Sequence, residues 1–369
     1  MRIELPISKS IANRLLILQA IHGDGLLTVS ATLPEDVQIL HRALTTLKTF
    51  RTSETLSTPH INVGNCGTAM RFLTAYCAQL EGQTTILDGV ERMHHRPLGQ
   101  LVDALREIGA NIEYLGEEGF PPLRIKGCIL DKHRIVTLDN PQSTQFVSAL
   151  LLIGANVQTN STSPYITLTR EMIKNKEQGT KNKDKLLTTD QTQVTNLGSL
   201  LLAPYSEIER DWSSAAFWYE YVALHGGEIT LPGLSRDSLQ GDKVVANIFA
   251  HLGVTTQYTE EGIHICRSQA ILNSKFLIQN FSACPDLYPA VALTCECLGI
   301  ELHATGTESL PIKESDRLRA VAEHRTDADH RMAMALLIAG YEVDDTACIS
   351  KSYPQFLEQF HRMNTLKLQ

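Results

Sequence analysis

Cations set beside hydroxyls and glycines at helix starts are the chemically suggestive feature of this sequence. Ser8-Lys-Ser-Ile-Ala-Asn-Arg14 gathers two hydroxyls, Lys9 and Arg14 around the opening turn of a helix. Free backbone N–H groups there already favour an anion. Gly64-Asn-Cys-Gly-Thr-Ala-Met-Arg71 is a glycine-rich turn running into a second helix, and no Gly-Lys-Ser/Thr follows that would make it a nucleotide-binding loop. Arg92-Met-His-His-Arg-Pro-Leu98 brings Arg96 ahead of a proline suited to a first helical turn. Gln142-Ser-Thr-Gln145 offers neutral hydrogen-bonding side chains suited to phosphate oxygens and sugar-like hydroxyls. Pro311-Ile-Lys-Glu-Ser-Asp-Arg-Leu318 alternates cation and carboxylate, and Asp329-His-Arg331 and Lys351-Ser-Tyr-Pro354 complete the set.

Singly, each segment reads as a solvated, capped helix start. Together they specify a cleft for a phosphorylated or carboxylated small molecule. The charge balance makes the clustering necessary: 33 Lys plus Arg against 41 Asp plus Glu leave a net charge of −8, with no global positive field for nucleic acid or an anionic membrane. His94-His95 and the run from His324 through Asp327 and Asp329 to His330 have the look of metal ligands. So close to arginines, they read instead as helix caps and arginine-orienting groups and not as metal ligands.

These groups must be positioned by a chain of 369 residues, long enough for about two domains. Apolar helix-like runs end repeatedly at glycines, the expected left-handed caps, and β-branched stretches follow. Gly82, Gly109 and Gly154 recur as Gly226, Gly253 and Gly299, at offsets of 144, 144 and 145, so the chain reads as two similar halves of helix-plus-strand units. Arg14 and Arg331 each precede a glycine, Gly23 and Gly340, by nine residues. Arg51 to Pro59 and Ile173 to Asn196 read as polar surface excursions, the second mobile. The eight cysteines include no Cys-x-x-Cys pair and are expected to be reduced and mostly buried. No run approaches the roughly 20 apolar residues of a membrane span, and the N-terminus lacks a signal-peptide core, so a cytoplasmic location is expected.

Taken in order, Ser8 to Arg14, Gly64 to Arg71, Arg92 to Pro97, Lys313 to Leu318 and Asp329 to Met334 resemble the signatures of the enolpyruvyl transferases, and within them the EPSP synthase family. The resemblance runs through most of the chain. It implies an α/β (α+β) fold, a two-domain inside-out barrel in which each domain has about three βαβαββ units. The domains would span 8–208, mainly binding shikimate 3-phosphate, and 1–7 with 209–369, completing a phosphoenolpyruvate site in the cleft between them. The implied reaction moves the enolpyruvyl group of phosphoenolpyruvate to the 5-hydroxyl of shikimate 3-phosphate and releases phosphate through a tetrahedral intermediate, and the resemblance implies that it needs no metal or organic cofactor. These two small molecules are the partners implied, and a monomer is expected.

By motif position the resemblance implies that Lys9 contacts phosphoenolpyruvate and assists proton transfer, that Glu314 serves at the methylene carbon, and that Asp286, in Ala283-Cys-Pro-Asp286, acts at the 5-hydroxyl. Arg96, Arg317, Arg331 and Lys351 would hold the phosphoenolpyruvate carboxylate and phosphate beside Asn65 and Gly67. Ser10, Arg14, Ser143, Thr144, Gln145, Thr162, Tyr165 and Lys313 would hold shikimate 3-phosphate. The chain departs from the family pattern in four places, one of them Asp327-Ala328, which replaces the usual polar pair before Asp-His-Arg. Cys66 stands where a small alanine is usual, Ser309 stands where asparagine is common, and between Arg317 and Asp329 roughly one hairpin of the second domain is missing. The alternatives are UDP-N-acetylglucosamine enolpyruvyl transferase, which pairs Lys-Asn where this chain has Lys9-Ser10, and a catalytically impaired phosphometabolite-binding homologue. Retention of Lys9, Asp286 and Glu314 favours an enzyme.

Overall fold

The glycine punctuation sets the frame of the computed structural model, which describes residues 1–23, 26, 30, 32–52, 57–183, 208–268 and 275–367. Gly82, Gly109, Gly154, Gly226, Gly253 and Gly299 all take positive φ, from 66° to 98°, a region that a Cβ disfavours. The chain forms two compact units, a C-terminal one of Met1–Lys9, Ser30–Glu35 and Glu209–Gln369 and an N-terminal one of Ser10–Val29 and Asp36–Ile208.

After α1 (Lys9–His22) and α2 (Glu35–Thr52), the N-terminal unit contains one complete βαβαββ run. It consists of β1 (His60–Asn62), α3 (Gly67–Ala78), β2 (Thr84–Asp88), α4 (Gly99–Glu107), β3 (Asn111–Tyr114) and β4 (Leu123–Lys126). The sheet order is β1-β2-β4-β3, with β1 parallel to β2 in the register His60 to Ile86 and the other pairs antiparallel. A parallel pair follows, β5 (Ile135–Thr137) and β6 (Asn156–Gln158), joined through α5 (Thr144–Leu152), and then α6 (Pro164–Lys183).

The C-terminal unit repeats this plan with α7 (Trp212–His225), β7 (Glu228–Pro232), α8 (Val245–Ala250), β8 (Val254–Tyr258) and β9 (Gly262–Arg267), in the order β7-β9-β8. The chain start supplies the parallel neighbour of β7: Arg2 bridges Thr230, and the Ile3 N–H donates to the Thr230 carbonyl at 3.0 Å. The second parallel pair, β10 (Phe276–Asn280) and β11 (Glu301–Thr305), brackets α9 (Tyr288–Leu298). The unit ends in α10 (Arg317–Ala322), α11 (His330–Ala339) and α12 (Phe356–Lys367). Among the described residues the hydrogen-bonded strands form these four sheets. None of the helices searched is long and apolar enough to cross a membrane.

Helix α7 is buried from Trp212 to Ala223, as befits a helix apolar on all sides. Its Asp211 N-cap accepts from the Ser214 N–H at 2.7 Å, and Gly226 closes it. Three local expectations are corrected. Helix α6 continues through residues 173–183, because Lys, Glu and Gln sustain a helix without an apolar stripe, while 184–196 lie outside the described residues. Residues 51 and 52 end α2, and 53–56 lie outside the described set. Pro97 precedes the Leu98 N-cap of α4 instead of occupying its first turn. The cysteines are free, and Cys66, Cys77, Cys284 and Cys295 are the buried ones.

Glu220, in the middle of α7, is wholly buried and neither carboxylate oxygen meets a donor. Burial pushes its carboxyl well above the ordinary 4.5. A carboxyl that stays protonated in the fold but ionises in the unfolded chain stabilises fully below its ordinary pKa and loses that contribution as pH rises. Above about pH 4.5 the slope is about 1.4 kcal/mol per pH unit. Urea unfolding followed by Trp212 and Trp218 fluorescence is therefore expected to show Glu220→Gln gaining on the parent chain between pH 5 and pH 7. Parallel curves would contradict this protonation state.

Candidate active site

In the C-terminal unit the cation-bearing helix starts close around three carboxylates. Asp286 lies in the short turn before α9, and its Oδ1 accepts from Arg317 Nη1 at 2.8 Å with Lys313 Nζ 3.6 Å away. Its Oδ2 accepts from Arg331 Nη2 at 2.8 Å. Arg317 is only 2% exposed, and its Nε donates to Asp329 Oδ2 at 2.8 Å. Asp329 is fully buried; it also caps α11 through the Arg331 N–H at 2.9 Å and accepts from Ser315 Oγ at 3.2 Å. Two arginines and a lysine on one carboxylate thus depend on a buried aspartate that orients one arginine and begins the helix bearing the other.

Glu314 forms the second focus. His330 Nδ1 lies 2.8 Å from its Oε2 and Lys351 Nζ 3.1 Å from its Oε1. Lys9, whose backbone N–H donates to Asp211 Oδ2 at 3.2 Å, is close enough to act on both Glu314 and His330. Burial disfavours the charged form of Glu314, yet His330, Lys351 and Lys9 outweigh it and hold the carboxyl well below the usual range. For Asp286, burial is likewise outweighed by Arg331, Lys313 and Arg317. Burial also lowers the pKa of His330, against the pull of Glu314. Five cations, Lys9, Lys313, Arg317, Arg331 and Lys351, gather around Asp286, Glu314 and Asp329, with Asp211 and Asp242 also acting on Arg331, so an anion entering here meets ammonium and guanidinium donors already assembled.

Glu314, Asp329 and His330 place ligand-type atoms within 4.8 Å of one another. Their oxygens already accept from Lys351, His330, Ser315 and Arg317, so a metal ion there would face cationic donors. The donor set suits an anion-binding network better than a metal.

The N-terminal unit has its own cluster. Cys66 caps α3, its Sγ accepting from the Ala69 N–H at 3.4 Å, so the cysteine in place of the usual alanine serves the turn. Gly67 opens the helix beneath two guanidinium groups: a Cβ there would lie 2.4 Å from Arg96 Nη2 and 2.5 Å from Arg71 Nη1. Arg71 Nη1 donates to Gln145 Oε1 at 2.9 Å, and Gln145 Nε2 donates to Thr68 Oγ1 at 2.9 Å. Arg96 Nη1 reaches the Asn65 carbonyl at 3.1 Å and Oδ1 at 3.3 Å. Burial, and then Arg96, lower the Arg71 pKa well below its ordinary value. The Nε atoms of both arginines are buried without a hydrogen-bond acceptor. Such a pair of desolvated cations is prepared for an anion.

Ser143 caps α5 by accepting from the Gln145 N–H at 3.3 Å, with Thr144 and Gln145 partly exposed in the first turn. Arg14 turns inward. It donates to Thr169 Oγ1 at 2.7 Å, the Ser10 carbonyl at 2.8 Å, Ser148 Oγ at 3.1 Å and the Tyr165 carbonyl at 3.2 Å, tying α1 to α5 and α6. Burial lowers its pKa to about 10. Thr162 is exposed ahead of α6 and takes no part in the Arg14 network. Within the units, then, Asp286, Lys313, Glu314, Arg317, Arg331, Lys351 and Lys9 come together, as do Asn65, Gly67, Arg96 and Gln145. Sequence reasoning quoted Arg71 and His330 within their segments but named neither as a site residue. The available signals were the one-turn spacing from Gly67 to Arg71 and the adjacency of His330 to a capping aspartate.

The sequence model described as EPSP synthase (3-phosphoshikimate 1-carboxyvinyltransferase) matches residues 1–324 and 321–360, and its two segments meet at the short connection after α10. A 3-phosphoshikimate 1-carboxyvinyltransferase of Bacteroides fragilis is 37% identical over 401 residues, covering 96% of this chain and 93% of the relative. That of Colwellia psychrerythraea is 28% identical over 426 residues, covering 98% and 96%. The fold is similar to that of EPSP synthase from Acinetobacter baumannii, with a TM-score of 0.63 at 20% identity over 98% of this chain and 95% of that one. On the breadth of the family match and the identity to the Bacteroides relative, the chain belongs to the EPSP synthase family.

Proposed function

We propose that the chain transfers the enolpyruvyl group of phosphoenolpyruvate to the 5-hydroxyl of shikimate 3-phosphate and releases phosphate, the enolpyruvyl step of aromatic amino acid biosynthesis. The observation that carries this reading is the grouping of Lys9, Asp286 and Glu314 with Lys313, Arg317, Arg331 and Lys351. Addition requires the 5-oxygen to bond to C2 of phosphoenolpyruvate while C3 gains a proton. Elimination requires C3 to lose a proton while the C2–phosphate bond breaks. Both steps keep several negative charges together, which a preorganised cation cluster stabilises.

Asp286 would take the hydroxyl proton, while Lys9 and Glu314 would share the proton moved at C3; for such closely interacting groups, titration belongs to the set. Arg96, Arg317, Arg331 and Lys351 would hold the phosphoenolpyruvate carboxylate and phosphate near Asn65 and Gly67. Ser10, Ser143, Thr144, Gln145, Thr162, Tyr165 and Lys313 would hold shikimate 3-phosphate, with Arg14 positioning Ser10 and Tyr165. The N-terminal unit would thus carry most of the shikimate 3-phosphate contacts.

The test is phosphate release on mixing both substrates. Sustained release that needs both compounds supports the proposal, and a chain that binds both but releases no phosphate is a ligand-binding homologue. Gly67→Ala adds a narrower check, since its Cβ must displace Arg71 and Arg96. The KM for phosphoenolpyruvate is expected to rise about tenfold, equivalent to about 1.4 kcal/mol. Steady-state kinetics with a urea midpoint near that of the parent chain would show the effect to be local.

A further inference from the structure

The internal repeat exposes what the C-terminal unit lacks. After α4 the chain makes the hairpin β3–β4, and after α8 the hairpin β8–β9. The next equivalent passage, β10–α9–β11–α10, has no hairpin: α10 ends at Ala322 and α11 begins at His330. Residues 323–329 alone bring Asp329, His330 and Arg331 to Arg317, Glu314 and Asp286.

This connection is tightly built. His324, Asp327 and Ala328 have φ of 51°, 46° and 56°, conformations that cost non-glycine residues roughly 1–2 kcal/mol each. Such strain persists only where the surroundings over-determine it. Thr326 is 1% exposed; its hydroxyl donates to Asp344 Oδ1 and its carbonyl accepts from the Asp329 N–H at 2.9 Å. The His324 ring stacks on Tyr341 at 4.0 Å, and His324 Nε2 and the Tyr341 hydroxyl lie 2.7 and 2.6 Å from Glu296 Oε1. Thr326 is the buried pin, three residues before the Asp329 cap that starts α11.

We propose that Thr326, held by Asp344, is a positioning residue: it locks the strained 323–329 turn and so sets Asp329, His330 and Arg331 on the reacting cluster, in place of the absent hairpin. The kinetic part rests on the enolpyruvyl-transfer reading. Thr326→Val keeps the shape and removes the hydrogen bond, and is expected to raise the KM for phosphoenolpyruvate about tenfold, or about 1.4 kcal/mol, with a smaller change in kcat. Thr326→Ser restores the hydroxyl and should restore the KM. Asp344→Ala should match Thr326→Val, and the double variant should be no worse than either, because both remove one interaction.

NMR of the full chain labelled at its 13 histidines supplies a readout that needs no turnover. The His330 ring signals, set by Glu314, should move in Thr326→Val and return in Thr326→Ser. An unchanged KM with unmoved His330 signals, or single effects that add in full, would overturn the proposal. Should Thr326→Val fail to fold, Asp344→Ala, which leaves Thr326 in place and removes its acceptor, must still move the His330 signals, and unmoved signals would overturn it equally. A parent chain that releases no phosphate while its variants shift His330 would reject the enzymatic reading and leave the positioning role standing.

Discussion

Glu314→Gln is expected to lower phosphate release by about 10²–10⁴-fold at saturating substrates, the range associated with loss of a positioned acid or base. Glutamine keeps the length of the side chain but cannot exchange a proton, and its amide N–H₂ must face either Lys351 or His330, both of which now donate to a carboxylate oxygen. Asp286→Asn is expected to fall by a similar factor with a different signature. Removing that carboxylate frees Lys313, Arg317 and Arg331 from their shared counter-charge, so the KM for phosphoenolpyruvate should not rise while kcat collapses. Because the cations hold both carboxyls well below their ordinary range, against burial, neither group in the free enzyme should produce an acid limb in kcat/KM between pH 5 and pH 8. Stopped-flow phosphate detection across that range measures all three outcomes. Variants keeping a tenth or more of the parent rate would remove Glu314 and Asp286 from the proton-transfer steps.

The parts legible in the sequence are those with short-range causes. Six glycines at matching offsets are left-handed because the chain must leave a helix there, and their spacing carried the duplication into view. Ser143 and Asp329 cap helices from positions where a hydroxyl or carboxylate precedes an apolar run, so cations placed by those helix starts could be grouped in advance. What escaped the reading depends on which way a side chain turns. Arg14 was recognisable as a cation at a helix start, but the acceptors that draw it inward, Ser148, Thr169 and the Tyr165 carbonyl, lie more than a hundred residues away. Arg71 becomes part of the site because burial brings its guanidinium beside Arg96 above a glycine; the one-turn spacing puts Arg71 on the Gly67 side of the helix, but the approach of Arg96 is a tertiary contact. The missing hairpin was countable from the twelve-residue separation of Arg317 and Asp329. The left-handed His324, Asp327 and Ala328 that span the gap were not, since nothing in their types requires positive φ.

Arg317→Met should destabilise the C-terminal unit by about 3–5 kcal/mol, the cost of removing one partner from a buried ion pair. The guanidinium spans two carboxylates, Nε to Asp329 and Nη1 to Asp286, and methionine fills much of its volume while leaving Asp329 fully buried with only Ser315 and the Arg331 N–H as donors. Lysine should not rescue it, because a single ammonium cannot reproduce a two-ended fork. The pH dependence gives the sign. In the parent chain burial opposes the charge on Asp329, but Arg317 prevails and holds its pKa below the ordinary 3.8. That contribution is therefore present above pH 3.8 and is lost as pH falls through the lowered value. In the variant burial acts on Asp329 with Arg317 gone, so the stability gap between the two chains should be widest near neutrality and narrow on acidification. Both tryptophans, Trp212 and Trp218, lie on α7 of this unit, so fluorescence-detected urea unfolding at pH 7 and pH 4 reads the effect where it occurs. A gap that stayed constant with pH would show that Arg317 contributes through packing and not through charge.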